Sequence, residues 1–424
     1  MTMIPTDLLE QLLDFPDTVI EKVELCKTSN TLSIYVKSTK EGCPCHCCGQ
    51  FITTAHGLGA EIELRHLPIF GYKTLIKLKP KRYRCPDCDT HPTSTQQLDG
   101  YTPRSSFTKS YENELLRSLT NSTIEDVSIK CEVSSDQVET LINRYLDTSY
   151  DYTETERIDV IGIDEISLRK GHGQFVTIVS AIIEDQVTVL AVLPDRKKAT
   201  VKRFFLGIPK RLRKTVRAVC SDVYSGFMGA AREVFGRRIA LCADRFHVAK
   251  RYREGFEKVR RKEMKKLKAL LSKEEYRSYK NTYWILRKNR ENLTSDEWRL
   301  LKRLFKKSPE IEQAYHLVQS LTSIYNSPLT PGQAKRKLSG WIKRVRNSGL
   351  SCFDTFIKTL RNHWGEISNY FIDRKTSGFV EGLNNKIKVL KRRSYGMVNP
   401  NRFFQRIHID LHGYERFSRK LKNA

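Results

Sequence analysis

Three observations predict a multidomain α/β fold, with a mixed five-stranded sheet behind a small β-rich unit and a helix-turn-helix. Two CxxC pairs flank an alternating segment near the N-terminus. Short helical periodicities follow. From Ile158 onward, five apolar runs of strand length are interleaved with helical stretches. At 424 residues the chain has room for about three domains.

Residues 1 to 30 carry an amphipathic stretch, Leu8, Leu9, Leu12 and Leu13, suited to packing, and Thr31 to Val36 alternates as a strand does. Thr74 to Lys79 alternates again before Arg82-Tyr83-Arg84 leads into the second cysteine pair. Six of eleven cysteines crowd this segment of a large chain, which points to metal and away from disulfides. Cys45-x-x-Cys48 and Cys85-x-x-Cys88 each place two thiolates on one side of a turn, the spacing of a tetrahedral, structural Zn²⁺ site. Thirty-six residues lie between the pairs, more than a common zinc ribbon has, and Cys43, Cys47, His46 and His91 are alternative ligands. Unliganded buried thiols are the other reading. Residues 1–100 are thus expected to form a zinc-binding domain.

In residues 101–150, Ile124, Val127, Val133, Val138, Leu141 and Tyr145 are spaced as the buried positions of two short helices joined by a tight turn. Ser135 is expected to N-cap the second helix, whose Gln137, Thr140, Asn143 and Arg144 could reach base edges or phosphates. Glu132 stands where such motifs often carry Gly, and a plain helical hairpin is the alternative. Residues 147–157 are polar and acidic and read as a linker.

Ile158–Ile166, Phe175–Ile183, Val187–Leu193, Val216–Cys220 and Arg238–Ala243 are strand-like, with helices near Val201–Leu206 and Ser225–Phe235, giving the order β-β-β-α-β-α-β. Lys/Arg/Glu-rich helices follow. Trp284, Trp298, Trp341 and Trp364 lie among them, read as packing residues, with base stacking the alternative.

Lys plus Arg number 75 against 48 Asp plus Glu, a formal charge of +27 spread along the chain, so a long phosphate backbone is the expected partner. The longest apolar run, Phe175 to Ile183, is too short to span a bilayer. The N-terminal Asp7, Glu10 and Asp14 are unlike a secretion signal, and a cytoplasmic protein is expected.

Asp164 follows the apolar run Val160 to Ile163, and Asp222 follows Val219-Cys220-Ser221, so both carboxylates are expected near the ends of buried strands, where a pair suits Mg²⁺. Strand alternation turns Glu165 the other way. A third acid, Glu381, would share a helix face with Asn385 and Lys388, followed by the basic Lys391, Arg392 and Arg393. A turn-forming Asp and a solvated helical Glu are the bland alternatives.

With these residues in place, the chain resembles the DDE transposases of bacterial insertion sequences of the ISL-three type. The likeness rests on both CxxC pairs, the helix-turn-helix, Gly162-Ile163-Asp164-Glu165 with Arg169-Lys170-Gly171-His172, Ser221-Asp222-Val223-Tyr224, Ala243-Asp244-Arg245-Phe246-His247-Val248 and Ser377 to Gly396. The resemblance implies an RNase H-like core, residues 155–255 and 371–424, interrupted by a helical insertion at 256–370. It implies Asp164, Asp222 and Glu381 as ligands of two Mg²⁺ or Mn²⁺ ions, with His247 at the scissile phosphate; Asp244 as a plain helix cap is the alternative. Arg169, Lys170, Asn385, Lys388, Lys391, Arg392 and Arg393 are expected to contact DNA. Implied partners are terminal inverted repeats, target DNA and a second copy of the chain in a synaptic complex. A non-catalytic DNA-binding regulator and a nuclease without strand transfer are the competing functions.

Overall fold

The computed structural model describes residues 9–10, 13–168, 175–372, 375–394 and 397–418, with side chains described for all of these except 375–381. Two compact units divide at Asp147/Thr148, and the described residues from His408 onward belong to the first.

The first unit opens with strands β1 (Thr18–Cys26) and β2 (Thr31–Ser38), then β3 (Cys43–Pro44), β4 (Phe51–Ile52), β5 (Ala55–Leu58), β6 (Ile62–Ile69), β7 (Tyr72–Leu78), β8 (Lys81–Arg84) and β9 (Thr93–Thr95). Sheet order is β1-β2-β7-β6, with β2 and β7 parallel and the other pairs antiparallel. Period-two alternation buries Ile34, Val36, Leu64, Ile76 and Leu78 against Leu13, Phe15 and Leu98. β1 is an edge strand with no fully buried residue, so it has little apolar signal, and the sequence does not reveal it.

Helices α1 (Lys109–Ser118), α2 (Ile124–Cys131) and α3 (Ser135–Tyr145) complete this unit. α1 precedes the expected pair. The cap of α3 is Ser134, one residue before the expected Ser135, because the Ser134 hydroxyl accepts from the Gln137 amide while the Gln137 side chain accepts from the Ser134 amide. Glu132 adopts the left-handed conformation, φ +50°, that a glycine would take more readily. Leu115, Leu116, Leu119, Val127, Val138 and Leu141 form the core, joined by Ile409 and Phe417. That burial draws the chain end from His408 into this unit, whereas the sequence-based division kept residues 371–424 together.

In the second unit, β10 (Val160–Ser167), β11 (Phe175–Ile183), β12 (Gln186–Leu193), β13 (Ala218–Ser221) and β14 (Ala240–Ala243) form one sheet of order β12-β11-β10-β13-β14. The β10, β11 and β12 pairings are antiparallel, while β13 and β14 run parallel to β10. Three strands start two residues later than expected: Ile158 and Val216 are buried yet outside the ladder, with the Ile158 amide donating to the Thr215 hydroxyl, and Arg238 belongs to a 3-10 turn. Helices α4 (Lys198–Gly207) and α5 (Ser225–Phe235) bury Val201, Phe205, Phe227 and Phe235 with Ile161, Ile163 and Val219 of the sheet.

A second core lies among α6 (Arg245–Leu270), α7 (Ser295–Lys307), α8 (Pro309–Asn326), α9 (Pro331–Asn347), α10 (Asp354–Asn362) and α11 (Trp364–Asn369). Trp341 is its fully buried centre and donates from Nε1 to the Leu317 carbonyl at 2.8 Å. The chain then returns to the sheet through α12 (Lys375–Arg393), which packs on β10, β13 and β14, before α13 (Pro400–Arg416). Among the described residues no helix is long and apolar enough to cross a membrane.

Candidate active site and zinc ribbon

β10 and β13 are parallel neighbours paired Ile163 to Ser221, so the residues that follow each pair, Asp164 and Asp222, emerge at the same end of the sheet. Asp164 is buried, while Asp222 keeps a quarter of its side-chain surface. The hydrogen bond from the Asp244 amide to the Ser221 carbonyl, 2.8 Å, brings β14's end to the same place. Asp244 is the N-cap of α6 and accepts from the Phe246 amide at 2.7 Å. This cap starts the helix so that His247, in its first turn, sits between the acids: Nε2 is 3.7 Å from Asp164 Oδ1, and Nδ1 is 3.5 Å from Asp222 Oδ2. One turn on, Arg251 stands 3.9 Å from Asp222 Oδ1.

From the other side, Asn384 of α12, itself buried, donates to Asp164 Oδ2 at 2.6 Å, while the Glu165 amide donates to Oδ1. Burial pushes the Asp164 carboxyl above its ordinary range, nearby Asp222 adds to this, and His247 and Lys388 oppose it. Glu165 turns away as alternation requires, pairing with Arg196 at 3.0 Å. Asp164 lies inside β10, which runs on to Ser167, and not at the strand end the sequence suggested, while Asp222 follows β13. Side by side at the N-terminus of α6, the two carboxylates offer the hard oxygen donors that a divalent cation takes, with cationic groups around them for a polyanion. The residues present therefore fit such an ion.

Glu381 lies on α12 one turn before Asn384, and its side chain is outside the described residues. Arg169 and Lys170 also lie outside them. Asn385 and Lys388 are exposed, and Lys391, Arg392 and Arg393 form the last turn of α12. Sequence reasoning picked Asn385 as a DNA contact and passed over its neighbour Asn384, the amide that meets Asp164; the helical phase could be set only once the helix had docked. Arg251 was missed as well, although its i+4 spacing from His247 on α6 was a usable signal.

On α3, the Gln137 side chain is engaged in the cap and donates to Ser106 Oγ, and the Thr140 hydroxyl donates to the Asp136 carbonyl. Asn143 is exposed. Arg144, expected to reach outward, turns inward to pair with the buried Glu112 at 2.5 Å, because a buried carboxylate without a cation would be costly.

The sulfurs of Cys45, Cys48, Cys85 and Cys88 all lie within 4.8 Å of one another. Three of the separations are 4.0, 3.8 and 3.6 Å, close to the ~3.8 Å expected around a tetrahedral ion with 2.3 Å zinc–sulfur bonds. The alternatives drop out: Cys43 faces the Ser94 carbonyl, His46 pairs with Ser94 Oγ, His91 with the Cys85 carbonyl, and Cys47 lies outside the four-sulfur cluster. Amides of Cys48 and Cys47 hold the Cys45 thiol down at about 6, ready to ligate as thiolate.

A family model described as a transposase, of the DDE ISL3 type, matches residues 161–407. The chain belongs to this family. It is a DDE transposase, an enzyme that acts on DNA. A second model, the zinc finger of the transposases of IS204, IS1001, IS1096 and IS1165, matches residues 41–88, so the four-thiol cluster is that of a zinc ribbon with a structural Zn²⁺ site. The transposase for insertion sequence element IS1001 of Bordetella parapertussis is 27% identical over 416 residues, covering 98% of this chain and all of that protein. The transposase for IS1557 of Mycobacterium tuberculosis is 24% identical over 273 residues, 60% of each chain.

Proposed function

We propose that this transposase binds the terminal inverted repeats of an insertion sequence, cleaves DNA strands there and joins the freed ends to target DNA. Asp164, Asp222 and Glu381 hold Mg²⁺, or Mn²⁺ in its place. The observation that carries this reading is the meeting of Asp164 and Asp222 at one end of neighbouring parallel strands, both within 3.7 Å of a single imidazole. Glu381 precedes Asn384 by three residues, a spacing that shares one helix face, on a helix that packs against β10 and β13. The 158 residues between Asp222 and Glu381 are filled largely by the α6 to α11 helices. A sheet with one acid within its first strand and another just after its fourth suits an RNase H-like core, divided in sequence by that helical insertion.

When bound, two divalent ions activate a water or a 3′-hydroxyl and stabilise the leaving oxygen. The protein's own groups orient and neutralise. Asn384 fixes Asp164, His247 bridges the two acids beside the scissile phosphate, and Arg251 and Lys388 offset the charge of the strand. The α2–α3 pair, read as a helix-turn-helix, presents Asn143 and Thr140 to the repeat, and the basic last turn of α12 meets phosphates. Joining two ends requires two copies of the chain on them.

The test uses end DNA with Mg²⁺ and a marked donor strand beside separate target DNA. Asp164→Asn is expected to abolish cleavage and joining while end binding persists; normal cutting by this variant refutes the site. Cut but never joined products from the unmodified protein would leave a nuclease.

A further inference from the structure

Between the C-terminal ends of α9 and α10 and the start of α11 lies an open groove of about 650 Å³, within the ~300–1,000 Å³ that ligand sites commonly occupy. Lys343, Arg346 and Asn347 of α9, Arg361 of α10 and Trp364 of α11 line it, and no carboxylate does. Among the described residues none of the three cations takes part in an ion pair. This sets them apart from Arg260, Arg261 and Lys266 of α6, each matched by a glutamate. The tryptophan packs partly on the helical core and also faces the groove.

Helix-dipole compensation accounts for Arg346 and Arg361, which fall in the last turns of their helices. It does not account for Lys343, farther inside α9, nor for an indole placed among three unmatched cations. The helix that opens the groove also reaches the base of α6: α11 begins at Trp364, and Tyr370, buried just past its end, accepts from Arg245, the residue after Asp244.

We propose that this groove is a second nucleic-acid site, where Lys343, Arg346 and Arg361 hold the phosphates of an unpaired DNA strand and the Trp364 indole stacks one of its bases. The site rests on the transposase reading only for the source of that strand: DNA opened beside the cleavage point. Positive charge without acids selects a polyanion, and an aromatic face selects a base that duplex stacking leaves free.

The experiment measures binding of the full chain, without added Mg²⁺, to labelled single-stranded and duplex oligonucleotides by fluorescence anisotropy across a salt series. For the single strand, the combined Lys343→Gln, Arg346→Gln, Arg361→Gln variant is expected to lower the slope of log affinity against log salt by about 2, from ~0.7 per phosphate contact. Trp364→Leu is expected to weaken single-strand binding about 10- to 100-fold at fixed salt, with Trp364→Phe restoring most of it. Duplex binding should change much less. An unchanged slope, or equal losses on duplex, overturns the proposal. Asp164→Asn should leave the slope untouched, so failure of end cleavage and failure of the groove are read separately.

Discussion

Asn384 donates to Asp164 Oδ2 at 2.6 Å across 220 positions of sequence, and this bond ties the returning helix α12 to the first strand of the sheet. It fixes the rotamer of an acid that is already buried, and leaves the carboxylate little freedom.

Replacing Asn384 by Ala should therefore act through Asp164. Groups that orient a metal ligand typically contribute 10- to 100-fold in metal affinity. The expected outcome is a rise of about that size in the Mg²⁺ concentration for half-maximal cleavage, with end binding unchanged. An unaltered Mg²⁺ titration would show that the amide does not position the acid.

Glu112 is fully buried and receives Ser105 Oγ at 2.6 Å, Arg144 at 2.5 Å and the Tyr145 hydroxyl. Arg144→Ala leaves the fully buried Glu112 carboxylate without its cation, a change that costs about 3–5 kcal/mol. Urea denaturation followed by circular dichroism checks it, and Glu112→Gln, which keeps the shape and most donors' partners, should cost less.

Zinc removal should act locally. Cys85→Ser is expected to lose the metal, measured by atomic absorption, and to open residues 41–95 to limited proteolysis while the second unit stays resistant, because the ligand bonds hold strands too short to hold themselves. Cys43→Ser should keep its zinc, since Cys43 lies outside the four-sulfur cluster.

Gly255 reverses a common rule. Gly to Ala inside a helix normally stabilises by up to ~1 kcal/mol, but a Cβ here would lie 2.7 Å from the Cys352 carbonyl oxygen, which is backbone. Gly255→Ala should destabilise by about 1–3 kcal/mol. An increase in thermal midpoint would contradict the close packing of α6 on the segment around Phe353.

Much of this was written locally. Period-two alternation and apolar runs located all five strands of the second unit to within two residues, since strand burial depends on short-range pattern. The CxxC pairs named the four sulfurs, because a knuckle brings its own two ligands together. Asp164 and Asp222 were legible as acids following buried apolar runs, although only Asp222 lies past the end of its strand. The edge strand β1 buries no residue fully and so had no local signature, whereas the cap at Ser134 carried one, the Ser134-x-x-Gln137 capping box, and was misread by one residue.

By itself, then, the sequence determined the order of elements around the five-stranded sheet, two CxxC pairs as the leading zinc candidates, the charge that calls for DNA, and two acids following apolar runs. The tertiary structure decided which groups meet: Asn384 and not Asn385 on Asp164, His247 between two carboxylates, and Arg144 drawn inward to Glu112. The physical reason is that a helix's phase against a sheet, and the partner a buried charge finds, are set by packing between segments far apart in the chain, and no local periodicity encodes them.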